Sequence, residues 1–369
     1  MKKVCIITAT RSEYGLLRWL IEEVKNDDQL ILQLVVTGSH LSPEYGLTYT
    51  EIENDGYHID EKVEMIISSS AMTGIVKAMG VCSIGFADVF NRLNPDIIIV
   101  LGDRYELLPI CSAALIMNIP IAHISGGDIT EGAIDNQIRN AITMLALIHF
   151  PGTEESAKRV ERMIGCKEKI YCVGEPGLDN FYQLTLMGRE DLARDFLLNP
   201  AKRWALMTYH PETRIGLEEN LLAVKNIIHV LRKVEDIEVI ITGSNSDYGG
   251  IQINEFLKNV STDNKSKFKF FISLGQLRYS SIMNEVDFLI GNSSSGIVEA
   301  PFLAKPVINI GKRQMGRYMS ENIISCSSQI NSIEDALNKI ESMNLNSNTY
   351  FGDGHTSPRI INILRNFFY

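Results

Sequence analysis

The stretch Val4-Cys5-Ile6-Ile7-Thr8-Ala9-Thr10-Arg11-Ser12-Glu13-Tyr14-Gly15-Leu16-Leu17, continued by Leu20, decides the fold class. The β-branched, apolar run from Val4 to Thr8 reads as a buried strand, and Leu16, Leu17 and Leu20 begin a helix after a short polar turn. A strand buried on both faces that feeds a helix opens a βαβ unit. Lys2 and Lys3 precede the apolar run as they would in a secretory leader, but Thr8, Thr10, Arg11 and Glu13 break it too early.

The same alternation continues through candidate strands Ile31–Val36, Ile97–Leu101 and Ile119–Ile124. A second series follows: Trp204–Thr208, Val239–Thr242, Phe268–Ile272, Phe288–Ile290 and Val307–Ile310, again with helical patterns between. The expected architecture is α/β, with two Rossmann-like domains whose parallel sheets face a cleft. A chain of 369 residues fits two domains of about 150 to 200 residues each. The break is expected where a strand ends in Val173-Gly174-Glu175-Pro176-Gly177, giving domains 1–175 and 176–355. Ligands of such sheets bind outside the carboxyl ends of the strands, so the loops that leave those ends are where function is sought.

Composition narrows the partners. A net charge of −10 argues against nucleic acid, which is bound through dense Lys/Arg surfaces. No stretch reaches the roughly 18 uninterrupted apolar residues of a membrane helix, so no membrane partner is expected. The six cysteines are scattered without CxxC or metal-ligand spacing, which fits a reducing cytoplasm and no metal. Gly126-Gly127 is not the dinucleotide fingerprint, and the expected cofactor is none.

Six loops carry candidate chemistry, each with a plainer alternative. Arg11, at a helix N-terminus that carries free N–H groups, suits a pyrophosphate; the alternative is an exposed arginine behind a Thr10 or Ser12 cap. Asp103 and Arg104, after Gly102, stand at a strand's carboxyl end, or pair with each other. The loop from His123 to Asp135 gathers three carboxylates, Asp128, Glu131 and Asp135, with an imidazole, among glycines that let backbone approach a ligand; otherwise it is a solvated loop with Asp135 as helix cap. His210, before Pro211, is a ligand contact or a structural histidine. Gly291-Asn292-Ser293-Ser294-Ser295-Gly296 opens a helix and suits phosphate, with Glu299 placed for ribose hydroxyls or for the helix dipole. Lys312, Arg313 and Arg317 balance a diphosphate or form an ordinary basic loop.

Taken together, Thr10-Arg11-Ser12-Glu13-Tyr14, Gly102-Asp103-Arg104, His123 with Gly126-Gly127, Thr130-Glu131-Gly132-Ala133 with Asp135, His210-Pro211, Gly291-Asn292-Ser293-Ser294 with Glu299, and Pro306-Val307-Ile308-Asn309 with Arg313-Gln314 resemble the UDP-N-acetylglucosamine 2-epimerase family, and more closely its hydrolysing branch. The resemblance runs from Lys3 to about Phe367. It implies a GT-B architecture in which a last helix, 356–369, packs back on the first domain. It also implies that Arg11, Arg313, Ser293 and Ser294 hold the diphosphate and Glu299 the ribose. Asp103, Glu131, Asp135 and His210 would be the catalytic groups around the sugar, with Arg104, His123 and Asn245 as further contacts. Many members carry a glutamate two residues after the histidine, where this chain has Ser125, and Glu131 is expected to take that part.

The activity so implied is hydrolysis of UDP-N-acetylglucosamine to UDP and N-acetylmannosamine, or the same reaction on UDP-2,4-diacetamido-2,4,6-trideoxyglucose. The rivals are a GT-B glycosyltransferase, a nonhydrolysing 2-epimerase and a sugar-nucleotide sensor. A homodimer or homotetramer is expected from the same resemblance.

Overall fold

The computed structural model describes residues 1–67, 72–129, 134–245, 247–343 and 345–368, and the chain divides into two compact units. One comprises Met1–Asp128, Asp135–Gln183 and Tyr350–Tyr369; the other comprises Ile129–Ile134 and Leu184–Thr349. The division thus falls at Gln183 rather than after residue 175, and the chain rejoins the first unit at Tyr350 rather than at residue 356.

The first unit is built on a parallel sheet of β1 (Lys2–Thr8), β2 (Leu30–Thr37), β3 (Glu61–Val63), β4 (Ile97–Leu101), β5 (Ile121–Ile124) and β6 (Ile148–Phe150), in the order β3-β2-β1-β4-β5-β6. Strand periodicity sends alternate residues to opposite faces. Val4 and Ile6 therefore join a core with Leu17, Leu20, Ile360 and Leu364, while Cys5 and Ile7 join a second core with Phe86, Phe90 and Cys111. Both faces of the sheet are covered, which is why β1 reads as an unbroken apolar run.

The second unit repeats the plan with β7 (Arg203–Thr208), β8 (Ile237–Thr242), β9 (Phe268–Phe271), β10 (Phe288–Gly291), β11 (Val307–Ile310) and β12 (Ile323–Cys326), in the order β12-β11-β10-β7-β8-β9. Counted from β7, this is the same doubly wound order as in the first unit. Each sheet reverses its winding between two neighbouring strands, β1 and β4 in one and β7 and β10 in the other. The crevice at such a switch point is where an open α/β sheet takes its ligand.

Three short strands escaped the sequence pattern: β3, β6 and β12. Conversely, no strand leads into Gly174. The chain there makes an isolated bridge, Ile170 with His149, and a Val173 N–H to Pro151 carbonyl bond of 3.1 Å, then turns at Gly174 (φ 93°) into a 3-10 turn, Pro176–Asp179. β5 starts at Ile121 and not Ile119 because Pro120 has no N–H to offer the ladder.

The helix Thr356–Phe368 belongs to the first unit for two reasons visible in its bonds. The Asp179 carboxylate accepts from the N–H groups of both Thr356 and Ser357 at 2.8 Å, capping the helix from 177 residues away. Its apolar side, Ile360, Ile361 and Leu364, is buried against the helix Arg11–Lys25.

Candidate active site

At the switch point of the first unit the loop after β1 enters the helix Arg11–Lys25 through a capping box. Thr10 Oγ1 accepts from Glu13 N–H, and Glu13 Oε2 accepts from the N–H groups of Ala9 (2.7 Å) and Thr10 (3.0 Å). Thr10 is therefore the cap, and Arg11, half-buried, is the first helical residue. Glu13 is a buried carboxyl whose pKa is pushed up to about 8, first by desolvation and then by the charge of Glu106.

β4 runs into Gly102, whose φ of 80° turns the chain so that Asp103 leaves the sheet edge. Asp103 and Arg104 each take a partner from elsewhere in the chain. Asp103 Oδ2 is ion-paired with Arg139 of the helix Asp135–Leu145, a guanidinium only 2 % exposed, and Arg104 donates to the buried Glu106 at 3.1 Å. Arg139 also donates to the Asp128 carbonyl at 2.8 Å, so one buried cation ties the loops after β4 and β5 together. Asp135 opens that helix and is half-buried. Glu131, with Thr130, Gly132 and Ala133, lies outside the described residues.

His123, expected as a ligand contact, lies beneath the loop after β4. Its side chain is fully buried, and Nε2 donates to the Gly102 carbonyl at 2.8 Å while Nδ1 lies 3.2 Å from Thr143 Oγ1. Burial lowers its pKa to about 4, so the ring is neutral and acts as a strut under the Gly102 turn. Gly126 and Gly127 stand where the packing leaves no room for a side chain. A Cβ on Gly126 would sit 3.0 Å from both His123 Nδ1 and Thr143 Oγ1, and one on Gly127 would sit 2.4 Å from the Ser156 carbonyl.

At the switch point of the second unit, Asn292 is the organising residue. It is buried at the end of β10, with Oδ1 accepting from His210 N–H (2.7 Å) and Nδ2 donating to the His210 carbonyl (2.8 Å). The Asn292 carbonyl in turn accepts from Arg313 (3.2 Å) and Gln314 (2.8 Å). The Asn245 N–H donates to His210 Nδ1 at 3.1 Å, which leaves the proton of the neutral ring on Nε2. His210 is half-buried, and its tautomer and orientation are thus set by backbone. The sequence named Asn292 only as part of a motif; its buried position between two strands is not legible from spacing.

Gly291 has φ 140°, and a Cβ there would lie 1.9 Å from the Thr208 carbonyl, so only glycine lets β10 pass β7 this closely. The helix Ser295–Phe302 follows with Ser294 as its cap position, exposed, and Ser293 half-buried beside Ser295 (2.9 Å). Glu299 stands on the second turn of that helix, close enough to Tyr279 to contribute to raising its pKa to about 12, though burial of the phenol is the larger cause. Glu212, unremarked in the sequence, is buried after β7; its Oε1 accepts from Lys312 N–H (3.0 Å), and burial raises its pKa while Arg313 and Lys312 oppose that shift. Each unit therefore presents cations, helix N-termini and oriented proton-bearing groups at the one edge of its sheet where ligand chemistry belongs.

The family model described as UDP-N-acetylglucosamine 2-epimerase matches residues 22–365. The GDP/UDP-N,N'-diacetylbacillosamine 2-epimerase (hydrolyzing) of Campylobacter jejuni is 38% identical over 94% of this chain and 89% of its own length. The UDP-N,N'-diacetylbacillosamine 2-epimerase (hydrolyzing) of Legionella pneumophila is 31% identical over 99% of this chain and 96% of its own length. In fold, the UDP-GlcNAc 2-epimerase from Neisseria meningitidis bound to UDP-GlcNAc superposes with a TM-score of 0.82 at 17% identity, covering 99% of this chain and 100% of that one.

Proposed function

Since this chain belongs to the UDP-N-acetylglucosamine 2-epimerase family, we propose that it is a hydrolysing 2-epimerase, converting a UDP-linked 2-acetamido sugar and water into UDP and the free sugar inverted at C2. The observation that carries this reading is the 38% identity, along nearly the whole chain, to a relative named for that reaction. The oriented groups at both switch points support it.

The C2 hydrogen of such a sugar is not beside a carbonyl, so its acidity has to arise as the C1–O bond breaks. Stabilising the departing diphosphate comes first, and Arg11, Arg313, Ser293 and the exposed Ser294 are the residues assigned to it, with Glu299 on the ribose. Loss of the C2 proton gives a glycal; water then adds at C1 while a proton returns to the opposite face of C2. Asp103, Asp135, His210 and Glu131 are the candidate acids and bases, with Arg104 and Asn245 as neighbours that orient them. His123 is assigned to positioning. The reaction as written calls on no cofactor.

Of the two substrates, UDP-N-acetylglucosamine is the family's namesake, but two of the relatives above 30% identity, the 38% one among them, are named for the diacetamido trideoxy sugar, while a third, at 34%, is the polysialic acid biosynthesis protein P7 of Escherichia coli. That observation favours the second sugar. A proton NMR time course in D2O with each decides: release of UDP and a free manno sugar carrying deuterium at C2 is expected, faster with the true substrate. Interconversion with UDP still attached, or no reaction with either, overturns the reading. We assign the protein to the cytoplasm, where its six free cysteines would stay reduced, and to a homodimer.

A further inference from the structure

Resting on the hydrolysing reading, we infer that Ser125 and Glu175 form a proton relay that receives the proton of the water adding at C1. Ser125 follows β5 directly and holds φ at 59°, a left-handed conformation uncommon for a residue with a side chain. Its hydroxyl donates to Glu175 Oε2 at 2.6 Å, a short bond within the ordinary O–H···O range. Glu175 arrives from fifty residues away, is 9 % exposed, and has its backbone pinned by donation to the Phe351 carbonyl at 2.7 Å. The space its carboxyl fills exists because residue 152 is glycine: a Cβ there would lie 1.9 Å from Glu175 Oε1.

The pair also stands in a useful place. Leu101 and Ile124 are register partners, and Gly102 N–H donates to the Ile124 carbonyl at 3.0 Å, so Ser125 emerges next to the Gly102-Asp103 turn at the switch-point edge. Ser125 is half-exposed there while Glu175 is covered, which is the arrangement of a hydroxyl that meets substrate and a carboxylate that acts through it.

A hydroxyl is too weak a base to take hydrogen from carbon, but it passes protons between oxygens readily, and this selects the hydration step. As the glycal's C1=C2 electron pair takes up a proton at C2, C1 becomes electron-poor and the water oxygen bonds to it. One water proton moves to Ser125 Oγ, the serine's own proton moves to the Glu175 carboxylate, and the glutamic acid later releases it to solvent. Ser125 would be the catalytic residue and Glu175 the group that acts through it.

The test uses the full-length enzyme, Glu175→Gln and Ser125→Ala, in the same D2O time course, with UDP affinity measured alongside. Both variants are expected to keep UDP affinity within about twofold and to release UDP, but to raise the ratio of free 2-acetamido glycal to hydrated sugar at least about tenfold, since general-base assistance is worth that or more. An unchanged ratio, whether or not the rate falls, overturns the relay, because a merely structural loss slows both halves together. Should Glu175→Gln fail to fold, Ser125→Ala decides alone, since it removes one oxygen. A wild-type enzyme that releases no UDP from either sugar overturns the parent reading and the relay with it; wild-type turnover with an unchanged variant ratio overturns only the relay.

Discussion

Asp103 and Glu13 sit at the same switch point and differ in how their charge is managed. Asp103 stays paired with the buried Arg139 guanidinium, so it is a carboxylate that can accept or return a proton only by disturbing that pair. Asp103→Asn keeps the shape and removes the charge: kcat is expected to fall by about 10²- to 10⁴-fold with UDP affinity within about threefold, and turnover close to wild type would remove Asp103 from the catalytic groups. Glu13 is the opposite case, a buried acid that favours its neutral form. Its folded pKa of about 8 lies above the usual carboxylate value, so the folded state binds the extra proton between those two limits. Stability from this group is complete below about pH 4.5 and is lost as pH rises through about 8. Glu13→Gln imitates the protonated acid and keeps an acceptor for Ala9 and Thr10. Thermal melts from pH 5 to 9 should show a fall in wild-type Tm that is flattened in the variant; parallel curves would show that Glu13 ionises without cost. Neither behaviour was readable in the sequence, where Glu13 was one letter of a motif, because burial beside Glu106 depends on a residue ninety-three positions away. The positions of Arg11, Asp103 and His210, by contrast, were legible, since each lies just beyond a strand whose apolar run announces where the chain leaves the sheet.

Elements show the same division between local and distant causes. The central strands β1, β4, β7 and β8 are covered on both faces and declare themselves as β-branched runs. β3 and β12 are edges of three and four residues, and β3 reads Glu61-Lys62-Val63, so nothing in their composition separates them from loop. β6 is three residues with His149 at its centre, and only pairing with β5 makes it a strand. The contact between β7 and β10 is the one that assembles the polar cluster of the second unit, since Asn292 and His210 reach each other only if the strands end side by side. Gly291 guards that contact. Gly291→Ala forces a Cβ against the Thr208 carbonyl at a φ that L-residues avoid, and should cost about 1–3 kcal/mol in chemical denaturation. Because His210 and Arg313 both hang from Asn292, the same variant should lose activity at temperatures where it remains folded. Full activity with full stability would mean that β10 can shift without moving the site.

At the scale of the molecule, the feature left unexplained by a single chain is the apolar surface of the first unit. The helix Met72–Leu93 buries Cys82, Phe86, Val89 and Phe90 in the core beneath it, yet Met72, Val76 and Ile84 are 71%, 68% and 72% exposed. The helix Leu107–Ile116 packs beside it with Ile116 81% exposed and Leu115 48% exposed. Isolated exposed apolar residues are ordinary, but a run of them on two neighbouring helices is what an interface looks like before its partner is added. By length and composition Met72–Leu93 could also span a bilayer, but a third of its most apolar stretch is already buried inside the unit, and extracting it would open that core. We propose a second copy of the chain as the partner that would cover the surface without that cost, in keeping with the symmetric pairing usual for soluble oligomers. Ile84→Asp combined with Ile116→Asp places two charges on the exposed side and touches no residue of either switch point. Analytical ultracentrifugation should give a dimer for the wild-type chain and a monomer for the variant, with Tm lower in the variant because the interface contributes to folding. A variant that remains dimeric would move the interface elsewhere, and a wild-type chain that is monomeric but floats with liposomes would assign the surface to a membrane instead.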